Sequence, residues 1–373
     1  MRVQRVVMPD SGVVSYTVLD GEFTPVDPIE AYLGYLTDVE RSPNTIRAYA
    51  HDLRDFFAYL EVKGLDWRSV TAEALAGFVS WLRLPPQART GEVATLPSAV
   101  HRCSAATVNR KLSALCGFYE HHARRGVDVA AVLSVWRPDR GERSQATSWK
   151  PFLTHAARGT AQPRRAVKLR AVAERPRTLD DEQVRALLDA CQRRRDRLLL
   201  MLLHRGGLRI GEALGLRHSD IIAAEREIRV VPRDNDNGAR VKGWHARTVP
   251  VGPEVVRSYA DYLHEEYGDL DSDYVFVNLW GQPRGHPLSY GTVYDLVVRL
   301  RRRTGVAFEP HMLRHTYATG LLRRGTPVEV VSKLLGHASI ATTVDTYGHL
   351  TVGDARQALV DAGHLPAQGS SHD

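Results

Sequence analysis

The feature that most constrains this chain is a gap in its hydrophobic periodicity. Apolar residues recur at helical spacing from Pro28 to Gly126 and again from Thr178 to about residue 362. Between Arg137 and Arg177 that period fades while arginine, lysine and proline accumulate. A stretch without an apolar face cannot run through a core, so it reads as a basic linker between two domains. A length of 373 residues suits two domains. The expected division is an N-terminal extension at 1–26, a helical domain at 27–136, the linker at 137–177, a second domain at 178–362 and a tail at 363–373.

In the first domain, Ser42-Pro43-Asn44-Thr45 is a helix start, with a hydroxyl to cap free N–H groups and proline at the first position. Ile46, Tyr49, Leu53, Phe56 and Leu60 follow at steps of three and four, and Gly64 ends the run. A second helix follows Thr71 until Pro85-Pro86, residues 85–100 read as a loop, and Ser104 caps a third helix. Arg47, Arg54, Arg110 and Lys111 fall on the opposite faces. They are candidate phosphate contacts, and a plain solvated face explains them equally well.

In the second domain, Thr178 is expected to cap a helix over Val184, Leu187 and Leu188, and another helix covers 198–204. Short β-type runs lie at 227–232 and 245–251, separated by Asp234-Asn235-Asp236-Asn237-Gly238, a turn-forming cluster. The remainder to 362 is mainly helical. The fold class is therefore mainly α with a small β-sheet (α+β) in the second domain, beside a separate all-α first domain.

Composition excludes several classes. No run of about 18 apolar residues is present, so no membrane partner is expected, and Met1–Asp10 lacks the apolar stretch of a secretory signal. The cytoplasm is the default location. Three cysteines without a CxxC pair argue against a disulfide framework and a thiolate zinc site. The formal charge of +7 is compatible with a nucleic-acid partner but is weak evidence by itself. Clumps at 193–195 and 299–303 have a solvated helix face as their plainest explanation.

Three stretches carry chemistry. Gly206-Gly207-Leu208-Arg209-Ile210-Gly211-Glu212 opens a helix with Arg209 in its first turn, which suits an anion site. His311-Met312-Leu313-Arg314-His315 places two imidazoles and a guanidinium on one helical face. The spacing of His311 and His315 would suit zinc, but the glutamate of HExxH is absent and an arginine would repel the metal; an anion fits better. Leu335-Gly336-His337 is followed ten residues later by Tyr347.

In this order the motifs resemble those of the tyrosine recombinases, the family of phage integrases, chromosome-dimer resolvases and some transposases. Arg209 matches the family's first arginine, His311 and Arg314 its HxxR pair, His337 the histidine of Leu-Gly-His, and Tyr347 its nucleophile. Lys242 matches the hairpin lysine, because Lys242-Gly243, Arg247 and Val249-Pro250 reproduce the spacing around it; Arg240 is the nearest substitute in a long hairpin. The first domain is similar to the family's SAM-like core-binding domain.

The resemblance implies a site-specific recombinase that cleaves DNA through a 3′-phosphotyrosyl intermediate and rejoins it without ATP, metal or other cofactor. Arg209 and Arg314 would stabilise the charge that develops on the phosphate, and His311 and His337 would add hydrogen bonds or move protons. His311 is the expected base for Tyr347, and Lys242 the acid for the departing 5′ oxygen. The implied partners are double-stranded recombination sites, three further copies of the chain in a tetramer on two sites, and accessory DNA-binding proteins. The chain's length and basic strap favour a mobile-element integrase or transposase over a chromosome-dimer resolvase. A type IB topoisomerase-like enzyme and a catalytically lapsed DNA-binding regulator are the rivals, and the intact residue set argues against the second.

Overall fold

The computed structural model describes residues 1–8, 12, 14–85, 88–89, 103–127, 134–137, 162–165, 167, 169–170, 176–242, 245–347 and 360. These fall into two compact units, Met1–Ala173 and Glu174–Asp373.

The first unit opens with an antiparallel hairpin of β1 (Arg2–Val7) and β2 (Val14–Leu19), in which Arg2 faces Leu19 and Val7 faces Val14. The sequence of residues 1–26 shows no period because the buried side of β2 includes Ser15 and Thr17. Both are satisfied inside: Ser15 pairs with Thr37 at 2.9 Å, and Thr17 donates to Glu30. Hydroxyls that find partners can face inward without an apolar signature.

Helices α1 (Asp27–Asp38), α2 (Pro43–Lys63), α3 (Ala72–Arg83) and α4 (Ala105–Ala123) follow. Ser42, Thr71 and Ser104 cap three of them as expected, each accepting an N–H at 3.2 Å. Leu53, Phe56, Phe78 and Phe118 are fully buried at the centre. Of the expected loop at 85–100, only 85 and 88–89 are described.

The expected linker is not wholly without structure. Strands β3 (Ser134–Arg137) and β4 (Gln162–Arg165) pair antiparallel, and Leu169 packs against the helical core. The Asn109 amide donates to the Leu169 carbonyl at 2.8 Å and accepts its N–H at 2.9 Å. One side-chain amide thus satisfies both polar groups of an extended backbone residue.

The second unit begins with α5 (Asp181–Asp189). Its cap is Asp180, not Thr178. Asp180 accepts the Gln183 N–H at 2.8 Å while Gln183 accepts the Asp180 N–H at 3.2 Å, a reciprocal box that Thr178 is too far upstream to form. Helix α6 (Arg194–Arg205) buries every residue from Leu198 to Leu203, the pattern of a helix enclosed on all sides. Arg195 is also buried, donating to Asp196 at 2.7 and 2.9 Å and to the Val277 carbonyl at 3.0 Å, so of the clump at 193–195 only Arg193 and Arg194 lie on an exposed face.

The short α7 (Ile210–Leu214) leads into a three-stranded antiparallel sheet of β5 (Ile221–Ile222), β6 (Glu227–Val230) and β7 (Arg247–Pro250), in that order. Two strands match the expected runs; β5 is too short to show a period. Helices α8 (Pro253–Tyr262), α9 (Tyr290–Thr304), α10 (Pro310–Arg323), α11 (Val328–Leu335) and α12 (Ile340–Tyr347) complete the unit. No described helix is long and apolar enough to cross a membrane.

Candidate active site

The motifs of the second unit meet around Glu212, whose side chain is wholly buried. Arg209 stands immediately before α7 rather than in its first turn. Its N–H donates to one Glu212 carboxylate oxygen and its guanidinium to the other, both at 2.8 Å. Arg247 on β7 forks onto the same carboxylate at 3.0 and 2.6 Å. Arg314 on α10 lies 3.7 Å away.

The arginines also gather the chain termini of distant helices. Arg314 donates to the carbonyls of Gly207 at 2.6 Å and Leu335 at 2.5 Å. Arg209 reaches the same Leu335 carbonyl at 3.2 Å, which places the two guanidiniums side by side. Gly336, which ends α11 with φ +62°, makes this approach feasible: a Cβ there would lie 2.8 Å from the Arg247 guanidinium.

Three guanidiniums against one carboxylate leave two positive charges in excess. Burial opposes ionisation of Glu212, yet its bonds from Arg247 and Arg209, with Arg314 nearby, hold its pKa below the usual range. Arg314 is drawn down first by burial and then by Arg209, only partly offset by Glu212. A desolvated cation of this kind gains free energy when an anion arrives, which is the property of an oxyanion or phosphate receptor.

Beside the arginines, His337 bonds Thr343 through Nδ1 at 2.7 Å. Burial, then Arg314, Arg209 and Arg247, lower its pKa to about 4, so the ring is neutral at pH 7. Tyr347 is only 4% exposed, and burial raises its phenol to about 12 against the pull of Arg314 and Arg209. Its hydroxyl is hydrogen-bonded to Nδ1 of His315 at 2.7 Å. His315, lowered to about 4 by burial, then His311 and Arg314, is neutral as well.

Of the expected residues, the structure thus brings Arg209, Arg314, His337 and Tyr347 together. His311 does not hold Tyr347. It lies at the rim with its side chain 60% exposed, 3.3 Å from Glu309 and 5.4 Å ring to ring from His315. His311 and His315 share a cavity of about 640 Å³ with Phe308, Met312 and Thr346. Lys242 is exposed on the connection between β6 and β7, and Arg240 reaches Asp234 at 3.4 Å. Glu212 is an addition, for which the acid three residues after Arg209 was the available signal, while Arg247 and His315, already named among the motifs, gain contacts with Glu212 and Tyr347 that spacing did not assign. Among the described residues, no three His, Cys, Asp or Glu side chains are grouped to hold a metal.

In the first unit, Arg47 is exposed, whereas Lys111 is only 7% exposed and does not lie on a solvated face. It bonds Asp52 at 3.0 Å and Asp55 at 2.8 Å; Arg110 pairs with Asp52, and Arg54 with Asp55 at 2.5 Å. The period misplaced Lys111 because a long stem can carry its ammonium to buried acids on a neighbouring helix.

Comparisons with known proteins cover both units. The model of the phage integrase family matches residues 177–353, and that of the phage integrase N-terminal SAM-like domain matches residues 29–126. Transposase A from transposon Tn554 of Staphylococcus aureus is 38% identical over 358 residues, 95% of this chain and 96% of that protein. Tyrosine recombinase XerD of Mycobacterium tuberculosis is 31% identical over 347 residues, 90% of this chain and 96% of the relative. Among solved structures, the Tn1549 transposon integrase in complex with transposon right end DNA shares the fold, with a TM-score of 0.58 at 18% identity over 90% of this chain and 99% of that one.

Proposed function

The chain belongs to the phage integrase family of tyrosine site-specific DNA recombinases, and from that premise we propose how its own residues cut and rejoin a strand. Tyr347 attacks the scissile phosphorus, forming a 3′-phosphotyrosyl link. Arg209 and Arg314 present planar forks to the non-bridging oxygens, where charge grows, and His337 adds a donor. Lys242 gives its proton to the 5′ oxygen. The ester conserves the bond energy, so attack by another 5′ hydroxyl completes the exchange without ATP.

The single observation carrying this reading is the side-by-side placement of the Arg209 and Arg314 guanidiniums on the Leu335 carbonyl, where both also pull the buried Tyr347 phenol downward against the larger upward push of its burial. The base is one of two histidines. His315 already holds the hydroxyl, but a group near 4 is a poor acceptor for a phenol near 12. His311, exposed 5.4 Å from it, takes the proton once the phosphate draws Tyr347 away.

Four protomers act on two DNA sites, with phosphate contacts from residues such as Arg47, Arg54 and Arg110 and strongly salt-dependent affinity. Accessory DNA-binding proteins assist where a site needs them, and the cytoplasmic nucleoid is the place of action. The enzyme serves a mobile element. Greater identity to the Tn554 transposase than to XerD favours this over chromosome-dimer resolution.

The test is a covalent trap in EDTA, using nicked DNA tiled across sequences flanking the gene. Wild type is expected to give a slow, protease-sensitive band in denaturing gels. Tyr347→Phe should give none while binding the same DNA within about threefold, because only a hydroxyl is lost. A band that persists in Tyr347→Phe would overturn the assignment.

A further inference from the structure

The connection that carries Lys242 is anchored at a point that the strand-exchange chemistry does not itself require. Asn237 donates to the Leu214 carbonyl at the end of α7 at 3.1 Å and to the Leu288 carbonyl before α9 at 2.8 Å, and it accepts the Ala239 N–H at 3.0 Å. Asn235 donates to the Ala239 carbonyl at 2.8 Å, and Ala239 is fully buried.

The last anchor is Tyr290, the first residue of α9. A Cβ on Gly211 would lie 2.3 Å from the Tyr290 hydroxyl and 2.7 Å from the Arg240 carbonyl, so the phenol, the Arg240 backbone and α7 meet at one place. The Arg240 amide nitrogen lies at the same point, 3.5 Å from that Cβ position, so the Tyr290 hydroxyl faces the Arg240 backbone. Lys242 is two residues further on, and two residues span at most about 7 Å. Arg209 is two residues before Gly211 on the other side of the same junction. Tyr290 is thus the contact nearest the lysine that ties its loop to the segment bearing the first arginine.

We infer that Tyr290 is a positioning residue, whose hydroxyl pins the Arg240 backbone against α7 so that Lys242 meets the leaving 5′ oxygen. The inference rests on Lys242 being the acid. As the bond from the Tyr347 oxygen to phosphorus forms, the bond from phosphorus to the 5′ oxygen breaks with its electron pair. The proton then moves from Lys242 Nζ to that oxygen, leaving a neutral amine. A misplaced acid slows only the part of the reaction that needs the proton.

The experiment compares DNA carrying the ordinary 5′ oxygen with DNA carrying sulfur at that bridging position. A thiolate leaves without protonation, so the sulfur substrate does not depend on a correctly placed acid. Single-turnover cleavage is measured at saturating DNA for wild type, Lys242→Ala and Tyr290→Phe, with melting temperatures alongside. Tyr290→Phe is expected to be about tenfold slower on the oxygen substrate, in keeping with the cost of small misplacements, and within about threefold of wild type on sulfur. Lys242→Ala should lose more on oxygen, and sulfur should rescue it too.

Equal slowing of Tyr290→Phe on both substrates, or no slowing on either, overturns the inference while rescue of Lys242→Ala leaves the acid intact. Failure of sulfur to rescue Lys242→Ala removes the acid assignment itself, and the Tyr290 role with it. If Tyr290→Phe melts well below wild type, Asn237→Ala, which releases the same connection at its other anchor, is read by the same ratio.

Discussion

In the helical unit, Asp52 and Asp55 on α2 meet Lys111, Arg110 and Arg54; in the second unit Glu212 alone meets Arg209, Arg247 and Arg314. The first cluster sets two carboxylates against three cations, and two of those cations, Arg54 and Arg110, are 35% and 47% exposed. Water completes their solvation, so the cluster needs no anion to be stable, although its exposed arginines can still touch a phosphate. The second sets one carboxylate against three guanidiniums that are 25%, 11% and 7% exposed. Its surplus charge is desolvated and its donors rest partly on backbone carbonyls. Buried charge in one place ties two helices together, and in the other it awaits an anion; the ratio of acids to bases separates these uses.

Charge-removing substitutions at the two acids are the strongest way to break this comparison. Glu212→Gln and Asp52→Asn should each lower unfolding stability in denaturant titration by about 3–5 kcal/mol, the usual result of leaving a buried charge unpaired. Only Glu212→Gln should also slow cleavage at saturating DNA. Equal cleavage defects in both would show that the clusters do not differ in kind.

A smaller effect is expected from Arg314→Lys, which keeps the charge and loses the fork. Cleavage should fall by roughly 10²–10³, as for loss of one donor to a developing oxyanion, and wild-type rates would remove its assigned role.

The smallest effect concerns pH. His337 is lowered to about 4 in the folded chain, whereas an unfolded histidine titrates near 6.5. The unfolded state therefore takes up a proton first as pH falls, and stability is lost from about 6.5 down to 4. His337→Asn should make that acid-side decline in melting temperature shallower. An unchanged slope would show that burial and the neighbouring arginines do not hold the ring neutral.

Local chemistry was legible without coordinates. Hydroxyls ahead of apolar periods mark the starts of α2, α3 and α4, because a cap needs only neighbours three residues away. The order of Arg209, His311, Arg314, His337 and Tyr347 pointed to one phosphoryl-transfer site for the same reason, since each motif is short. The hairpin of β1 and β2 was hidden because its inward polar residues depend on Thr37 and Glu30 from α1.

What the sequence by itself made legible is the starts of α2, α3 and α4, a break in period between two helical regions and a short set of candidate reacting groups, all carried by spacings of a few residues. Only the tertiary structure decided that Lys111 is buried against Asp52 and Asp55, that Glu212 is the shared acid, and that His315 rather than His311 holds Tyr347. Helical spacing puts both histidines on one face of α10 and cannot choose between them. The choice is made where α12 packs, by contacts between residues 32 apart in the chain, as Arg209 and Leu335 meet across 126. Such meetings are set by the packing of whole cores, and no local pattern records them.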